Sequence, residues 1–375
     1  MDPRYVADRF ALIDFLKATY KEWPEPQVLS SDEYSRYSVH VLAKPLNISA
    51  QSLISRVADV AAAMKHPAEK VTITLDAERN AFVITVAQDD PAIAWFSKLD
   101  ELPANVKYDF TVGLDPLDKP LVTCLIDSMY PHILVAGGSG SGKSIFIHSV
   151  LAQLLRQLPP SEFQLLFCDA GHAEAAFYSE VPHLFRPVAF DRDEQLTQLG
   201  DLVVELERRK ALFDEAQTPD RERFLRKNPK ATLPVILLVV NEAASFTYDK
   251  SLRDSYVARV GEILKLGRKY GIHTLISVQR PTAENIGMGF LDSLSRRVIF
   301  RLESPISSEW VLSDASATSL RGQGSGVLRI GSELKRFQGL YLPDEREPVT
   351  RRDGSLEPSL GQIIDEVIAR WGKIS

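Results

Sequence analysis

The octet Gly137-Gly138-Ser139-Gly140-Ser141-Gly142-Lys143-Ser144 limits this chain more than any other stretch. It has the form G-x-x-x-x-G-K-[ST], a loop that cradles phosphate. Its glycines let successive backbone N–H groups turn inward around an anion, in conformations that a Cβ would forbid. Lys143 adds a point charge for the β- and γ-phosphates, and the Ser144 hydroxyl suits Mg²⁺. Such a loop needs a strand before it and a helix after it. Ile133–Ala136 is a short apolar run. From Phe146 through Val150, Leu151, Leu154, Leu155 and Leu158 the apolar residues recur at helical spacing until Pro159-Pro160. The cofactors expected from this loop are ATP and Mg²⁺.

Downstream, strand-like and helical stretches alternate. Strands are predicted at Phe163–Cys168, Val235–Val240, Thr274–Val278 and Val298–Leu302, with helices near 193–216 and 253–270. That alternation predicts an α/β fold with a mostly parallel sheet covered on both faces. Gly326–Ile330 and Leu334–Leu342 flank Gly331-Ser332 as a hairpin. Upstream, the spacing predicts a helix over Val6–Lys17 and a small α+β segment. That segment comprises strands at Ser38–Leu42, Val71–Leu75 and Phe82–Val86 and a helix capped by Ser49. The domains read as 1–30, an N-terminal helix and linker; 31–120, the small α+β domain; 121–344, the nucleotide domain; and 345–375, a linker with a final amphipathic helix.

Leu233–Glu242 has the form of a Walker B strand, apolar along its length and polar at its carboxyl end. The residue expected to hold Mg²⁺ through water is normally Asp, and here it is Asn241. An amide keeps an oxygen acceptor but loses a charge, so metal binding should weaken without vanishing. Glu242 is the expected general base. Gln279 follows the strand Thr274–Val278, where a polar group can sense the γ-phosphate. By spacing alone Arg268 is a solvated helix residue. The basic runs at 208–210 and 221–230 carry interleaved acids and read as solvated helix faces. His132, His148, His183 and His273 have no metal-ligand spacing. Cys124 and Cys168 make neither a disulfide framework nor a metal set. The net charge of −6 does not advertise nucleic acid, though global charge says little about a local site. No long apolar run predicts membrane insertion and no signal peptide is visible at Met1, so the expected location is the cytoplasm.

Pro131–Gly137, Asp169, Val181–Leu184, Glu207-Arg208-Arg209, Gly271–His273, Gln279-Arg280-Pro281, Arg296–Phe300 and Leu320–Gly324 stand in an order that resembles the motor of the FtsK/SpoIIIE DNA translocases. The resemblance implies a RecA-like fold, a homo-oligomeric hexameric ring and double-stranded DNA in its channel. It implies phosphate and metal binding by Lys143 and Ser144, activation of water by Glu242 and phosphate sensing by Gln279. It implies that Arg268 acts in trans on the neighbouring subunit; unchanged turnover in Arg268→Ala would transfer that role to Arg296, Arg297 or another residue. Thr282–Leu291 matches a pore-side loop but carries no basic residue. Gly171 stands where the family has lysine, and the chain shows no winged-helix segment. The leading function is an ATP-driven DNA translocase. The alternatives are a nucleotide-gated binding or assembly subunit with weak turnover, on account of Asn241, and a protein-secretion ATPase. The recruiting partner is not legible.

Overall fold

Strand-like alternation upstream and buried apolar runs downstream become two units in the computed structural model. It describes residues 3–23, 25–33, 37–76, 79–87, 93–102, 106–169, 174–287 and 289–372. One unit comprises residues 1–93 with 114–119, and the other residues 94–113 with 120–375. These limits differ from those drawn on the sequence. Residues 94–113 and the tail beyond 344 belong to the nucleotide unit.

In the first unit, β1 (Val28–Glu33), β2 (Tyr37–Ala43), β3 (Val71–Asp76) and β4 (Ala81–Ala87) form an antiparallel sheet in the order β1-β2-β4-β3. Helices Pro3–Thr19, Ala50–Ile54 and Val57–Ala63 supply Leu12, Leu16, Leu53 and Val60 to a core shared with Phe82 and Ile84 of β4. The Ser49 hydroxyl caps its helix as expected, accepting from the Ser52 N–H, but the helical run breaks into two short pieces.

The second unit is built on nine strands: β5 (Asp109–Leu114), β6 (Pro120–Cys124), β7 (His132–Ala136), β8 (Phe163–Asp169), β9 (Val235–Asn241), β10 (Ile272–Val278), β11 (Arg296–Phe300), β12 (Ser325–Ile330) and β13 (Glu333–Gln338). Their order is β6-β5-β13-β12-β11-β7-β10-β9-β8. The run from β11 to β8 is parallel, while β12 pairs antiparallel with both β11 and β13. Every residue of β7, β9 and β10 is buried. Strands covered on both faces need no polar alternation, which is why they read as continuous apolar runs.

Side-chain alternation along β7 divides the core in two. Ile133 and Val135 face the helix Lys143–Gln157 and the final helix Leu360–Trp371. Leu134 and Ala136 face the helices Arg192–Glu215 and Lys250–Leu266. Burial of one such side chain is worth roughly 1.5–3 kcal/mol, so the two layers hold the strand ends in place. Asp191, Asp249 and Ser359 cap three of these helices through their side-chain oxygens. The stretch 345–358 is more than a linker. It pairs β14 (Val349–Thr350) with β15 (Leu356–Glu357), and buried Glu357 bonds Arg351 and the backbone and hydroxyl of Ser97.

Candidate nucleotide-binding site

In the order β11-β7-β10-β9-β8, β7 is followed in sequence by β8, which lies three places away, while β10 and β11 flank it. This is a topological switch point, and ligands bind beyond the carboxyl ends of strands there. The phosphate loop leaves β7 at that edge. The Gly137 N–H donates to the carbonyl of Val278 (3.2 Å), and the Gly138 N–H to that of Arg301 (2.8 Å). These bonds tie the loop to the ends of β10 and β11.

Two glycines meet different demands. Gly140 has φ +68° with open space around it. Gly142 has φ +106°, and a Cβ there would lie 2.6 Å from the backbone nitrogen of Gly324. The Gly324 N–H donates to the Ser141 carbonyl at 2.8 Å. The Leu320–Gly324 segment thus presses directly on the phosphate loop, a role the sequence did not disclose. The helix Lys143–Gln157 starts with Gly142 and has no side-chain cap bond. Its first N–H groups are left for an anion, which the helix dipole also favours. The Ser141 hydroxyl is buried with no hydrogen-bond partner.

The ends of β8, β9 and β10 form the acidic side. Asp169 and Asn241 are opposite each other in the parallel register. The Ser277 hydroxyl donates to Asn241 Oδ1 (2.6 Å) and accepts from the Glu242 N–H (3.1 Å). Asn241 Nδ2 donates to Asp169 Oδ1 (3.2 Å) and to Glu174 Oε2 (2.5 Å). The amide oxygen is therefore engaged by Ser277, and Asn241 presents a donor to two carboxylates. This is not the metal-facing oxygen expected from the sequence.

Glu242 has φ +55°, a left-handed conformation rare for a side-chain-bearing residue. There it meets Lys143, with Nζ 3.5 Å from Glu242 Oε2. Its other oxygen is 3.5 Å from the Gln279 N–H. Lys143, Ser144, Asn241, Glu242 and Gln279 are thus brought to one edge.

Arg268 is not among them. It is exposed, in the turn before the amino-terminal end of β10. A seven-residue strand separates it from Gln279, a span of roughly 23 Å. The other two arginines are engaged within the chain. Arg296 is buried and donates to the Tyr130 carbonyl, while Arg297 donates to the carbonyls of Leu291, Leu294 and Val311. Gly171 lies outside the described residues, as does Met288 of the loop Thr282–Leu291. In that loop Thr282 caps the short helix Ala283–Ile286. The basic runs are paired on their own helices, as in Arg208–Glu205, Lys210–Glu207 and Arg223–Asp220.

Glu174 was missed on the sequence, because it follows no periodic pattern. Its carboxylate accepts from Asn241 Nδ2 and lies beside Ser144 of the phosphate loop. Burial pushes its carboxyl above the usual range, the Ser144 hydroxyl pulls it back, and the Asp169 charge adds to the rise. Among the described residues no group of three His, Cys, Asp or Glu is suited to hold a metal alone. The donors present are hard oxygens, Ser144 Oγ and the Glu174 carboxylate. They fit Mg²⁺, which takes one or two protein oxygens and completes its shell with phosphates and water. Among the described residues no helix is long and apolar enough to cross a membrane.

The sequence profile of the FtsK/SpoIIIE family matches residues 101–283. The DNA translocase FtsK of Staphylococcus epidermidis is 28% identical over 283 residues, covering 71% of this chain and 35% of that protein. That of Staphylococcus aureus is 30% identical over 262 residues, covering 66% and 32%. The chain thus spans about a third of the length of these curated relatives. The pCW3 conjugation coupling protein TcpA, solved as a monomer with ATPγS, superposes with a TM-score of 0.61 at 23% identity, covering 91% of this chain and 95% of that one. The cytoplasmic domain of the Thermomonospora curvata Type VII secretion ATPase EccC superposes at 0.65 and 21% identity, covering 76% and 35%. These two establish the RecA-like fold. With the phosphate loop and the acidic strand ends, the profile match identifies residues 101–283 as an FtsK/SpoIIIE-like segment, and the chain is a P-loop ATPase.

Proposed function

We propose that this chain is the motor of an ATP-dependent double-stranded DNA translocase, working as a homo-oligomeric ring. The observation that carries the reading is the assembly of Lys143, Ser144, Glu242 and Gln279 on one strand edge, in a chain whose relatives are DNA translocases. Lys143 and the loop N–H groups would hold the triphosphate, and Ser144 would offer its hydroxyl to Mg²⁺. In the structure Lys143 and Glu242 pair with each other. A γ-phosphate drawing Lys143 away frees Glu242 to orient the attacking water, and Gln279, one backbone bond from Glu242, reports the phosphate. Arg268, at the far edge of the sheet, has no reach to its own loop. Its exposure suits insertion into a neighbour's site, where an arginine stabilises charge developing on the transferred phosphoryl group.

The test is an ATPase titration with and without duplex DNA, coupled to mass measurement of the oligomer. Stimulation by DNA that weakens with salt is expected, because phosphate contacts release counterions. A salt-insensitive ATPase indifferent to DNA would sink the proposal. Arg268→Ala should leave ATP affinity intact and lower DNA-stimulated turnover by roughly 10³-fold or more.

A second reading, a nucleotide-gated subunit with slow turnover, is favoured by Asn241, whose amide is engaged between Ser277 and two carboxylates. Brisk hydrolysis by the native protein, with no gain in Asn241→Asp, rules it out.

A further inference from the structure

Position 241 carries no charge, yet the acidic side of the site is not short of carboxylates. Asp169 closes β8 and is buried. Its Oδ2 accepts from the N–H groups of Glu174 and Ala175 (3.2 and 3.3 Å), and its Oδ1 accepts from Asn241. Asp169 therefore serves the local fold, anchoring the turn that opens the short helix Ala175–Tyr178. That anchoring fixes where Glu174 projects. The Glu174 carboxylate meets Ser144, the residue whose hydroxyl a phosphate loop offers to the metal, and it is gripped from the other side by Asn241 Nδ2.

We propose that Glu174 supplies the negative charge facing the metal–nucleotide complex that residue 241 lacks, with Asn241 acting as its positioning residue. The carboxylate has in effect moved from the end of β9 to the turn after β8. The change at position 241 follows from the same geometry. An aspartate there would be a third carboxylate beside Asp169 and Glu174, with repulsion in place of two donated hydrogen bonds. The asparagine side chain satisfies all three neighbours at once: it accepts from Ser277 and donates to both acids. Ser144 and Glu174 would together offer hard oxygens to a divalent cation bound with the triphosphate.

The inference rests on the nucleotide-binding reading of the loop and is independent of DNA. The full chain would be titrated with ATPγS by calorimetry, once with Mg²⁺ and once in EDTA. Native protein should bind at least tenfold more tightly with Mg²⁺. Glu174→Gln should lose most of that gain while its affinity in EDTA stays level or rises, since a negative charge near phosphate is removed. The double variant E174Q/N241D, with a carboxylate returned on β9, should recover a substantial part of the gain. Mn²⁺ titrated by electron paramagnetic resonance should show the same ranking with ATPγS present. Glu174→Ala serves as a second reading if the Gln variant melts early. A full Mg²⁺ gain in either variant, or no recovery in the double variant, overturns the proposal. Absence of any ATPγS binding by native protein would instead sink the nucleotide reading itself.

Discussion

The two sides of the nucleotide site are built differently. The phosphate side is one continuous octet, held by backbone bonds to the ends of β10 and β11. The acidic side draws on the ends of three strands and a turn: Asp169 and Glu174 after β8, Asn241 and Glu242 at β9, and Ser277 and Gln279 at β10. A continuous loop carries its chemistry in its own spacing. A side assembled from separated segments can move a carboxylate from one segment to another and keep the same field at the ligand. Hence the loss of an aspartate at one position is a poor measure of lost metal binding.

The contrast can be attacked from both sides. Lys143→Ala should have the largest effect, lowering ATP affinity at least about 100-fold, or roughly 2.7 kcal/mol, by calorimetry. Retention of native affinity would mean that the loop N–H groups suffice. Gly142→Ala should come next. Positive φ and the 2.6 Å approach to Gly324 act together there, and thermal unfolding should report a loss of about 2–4 kcal/mol. Gly140→Ala, with left-handed φ but open surroundings, should cost only about 1 kcal/mol. Equal losses in the two variants would show that the close approach of Leu320–Gly324 is unimportant.

On the acidic side, Asn241→Asp without Mg²⁺ should lower stability by about 1–3 kcal/mol, because two donated hydrogen bonds become like-charge contacts. Mg²⁺ with nucleotide should reverse much of that loss in a melting experiment. A variant as stable as the native chain in EDTA would contradict the described carboxylate crowding.

The smallest effect near neutrality belongs to the scaffold behind the loop. His148, in the helix after the octet, bonds the Tyr178 hydroxyl at 2.8 Å, and burial lowers its pKa to about 4. The folded value lies below the unfolded value of about 6.5. Between them the unfolded chain binds the extra proton, so stability rises with pH and is lost as pH falls from about 6.5 toward 4. One unit below 6.5 the loss from this residue is about 1.4 kcal/mol. His148→Phe should flatten that limb of the stability profile, and an unchanged slope would remove His148 as a contributor.

Some of this was legible in advance. The strands β8 to β12 and the helices around them followed from apolar runs and period. The sequence also brought Lys143, Ser144, Glu242 and Gln279 to notice, because each follows a strand or lies in the octet. Glu174 was not legible. It lies in a short turn with no periodicity, and its importance comes from Asp169 holding its N–H and from Asn241 and Ser144 holding its carboxylate. The stretch 345–358 was read as a linker because its composition is polar. Pairing with distant Ser97 and with Arg351 accompanies the burial of Glu357.

Local chemistry alone determined that this chain folds around a phosphate loop, since glycine freedom, lysine charge and strand period act over a few neighbouring residues. The tertiary structure decided which carboxylate faces that loop and where Arg268 stands relative to it. Both depend on the strand order β7-β10-β9-β8, which sets neighbours far apart in sequence side by side.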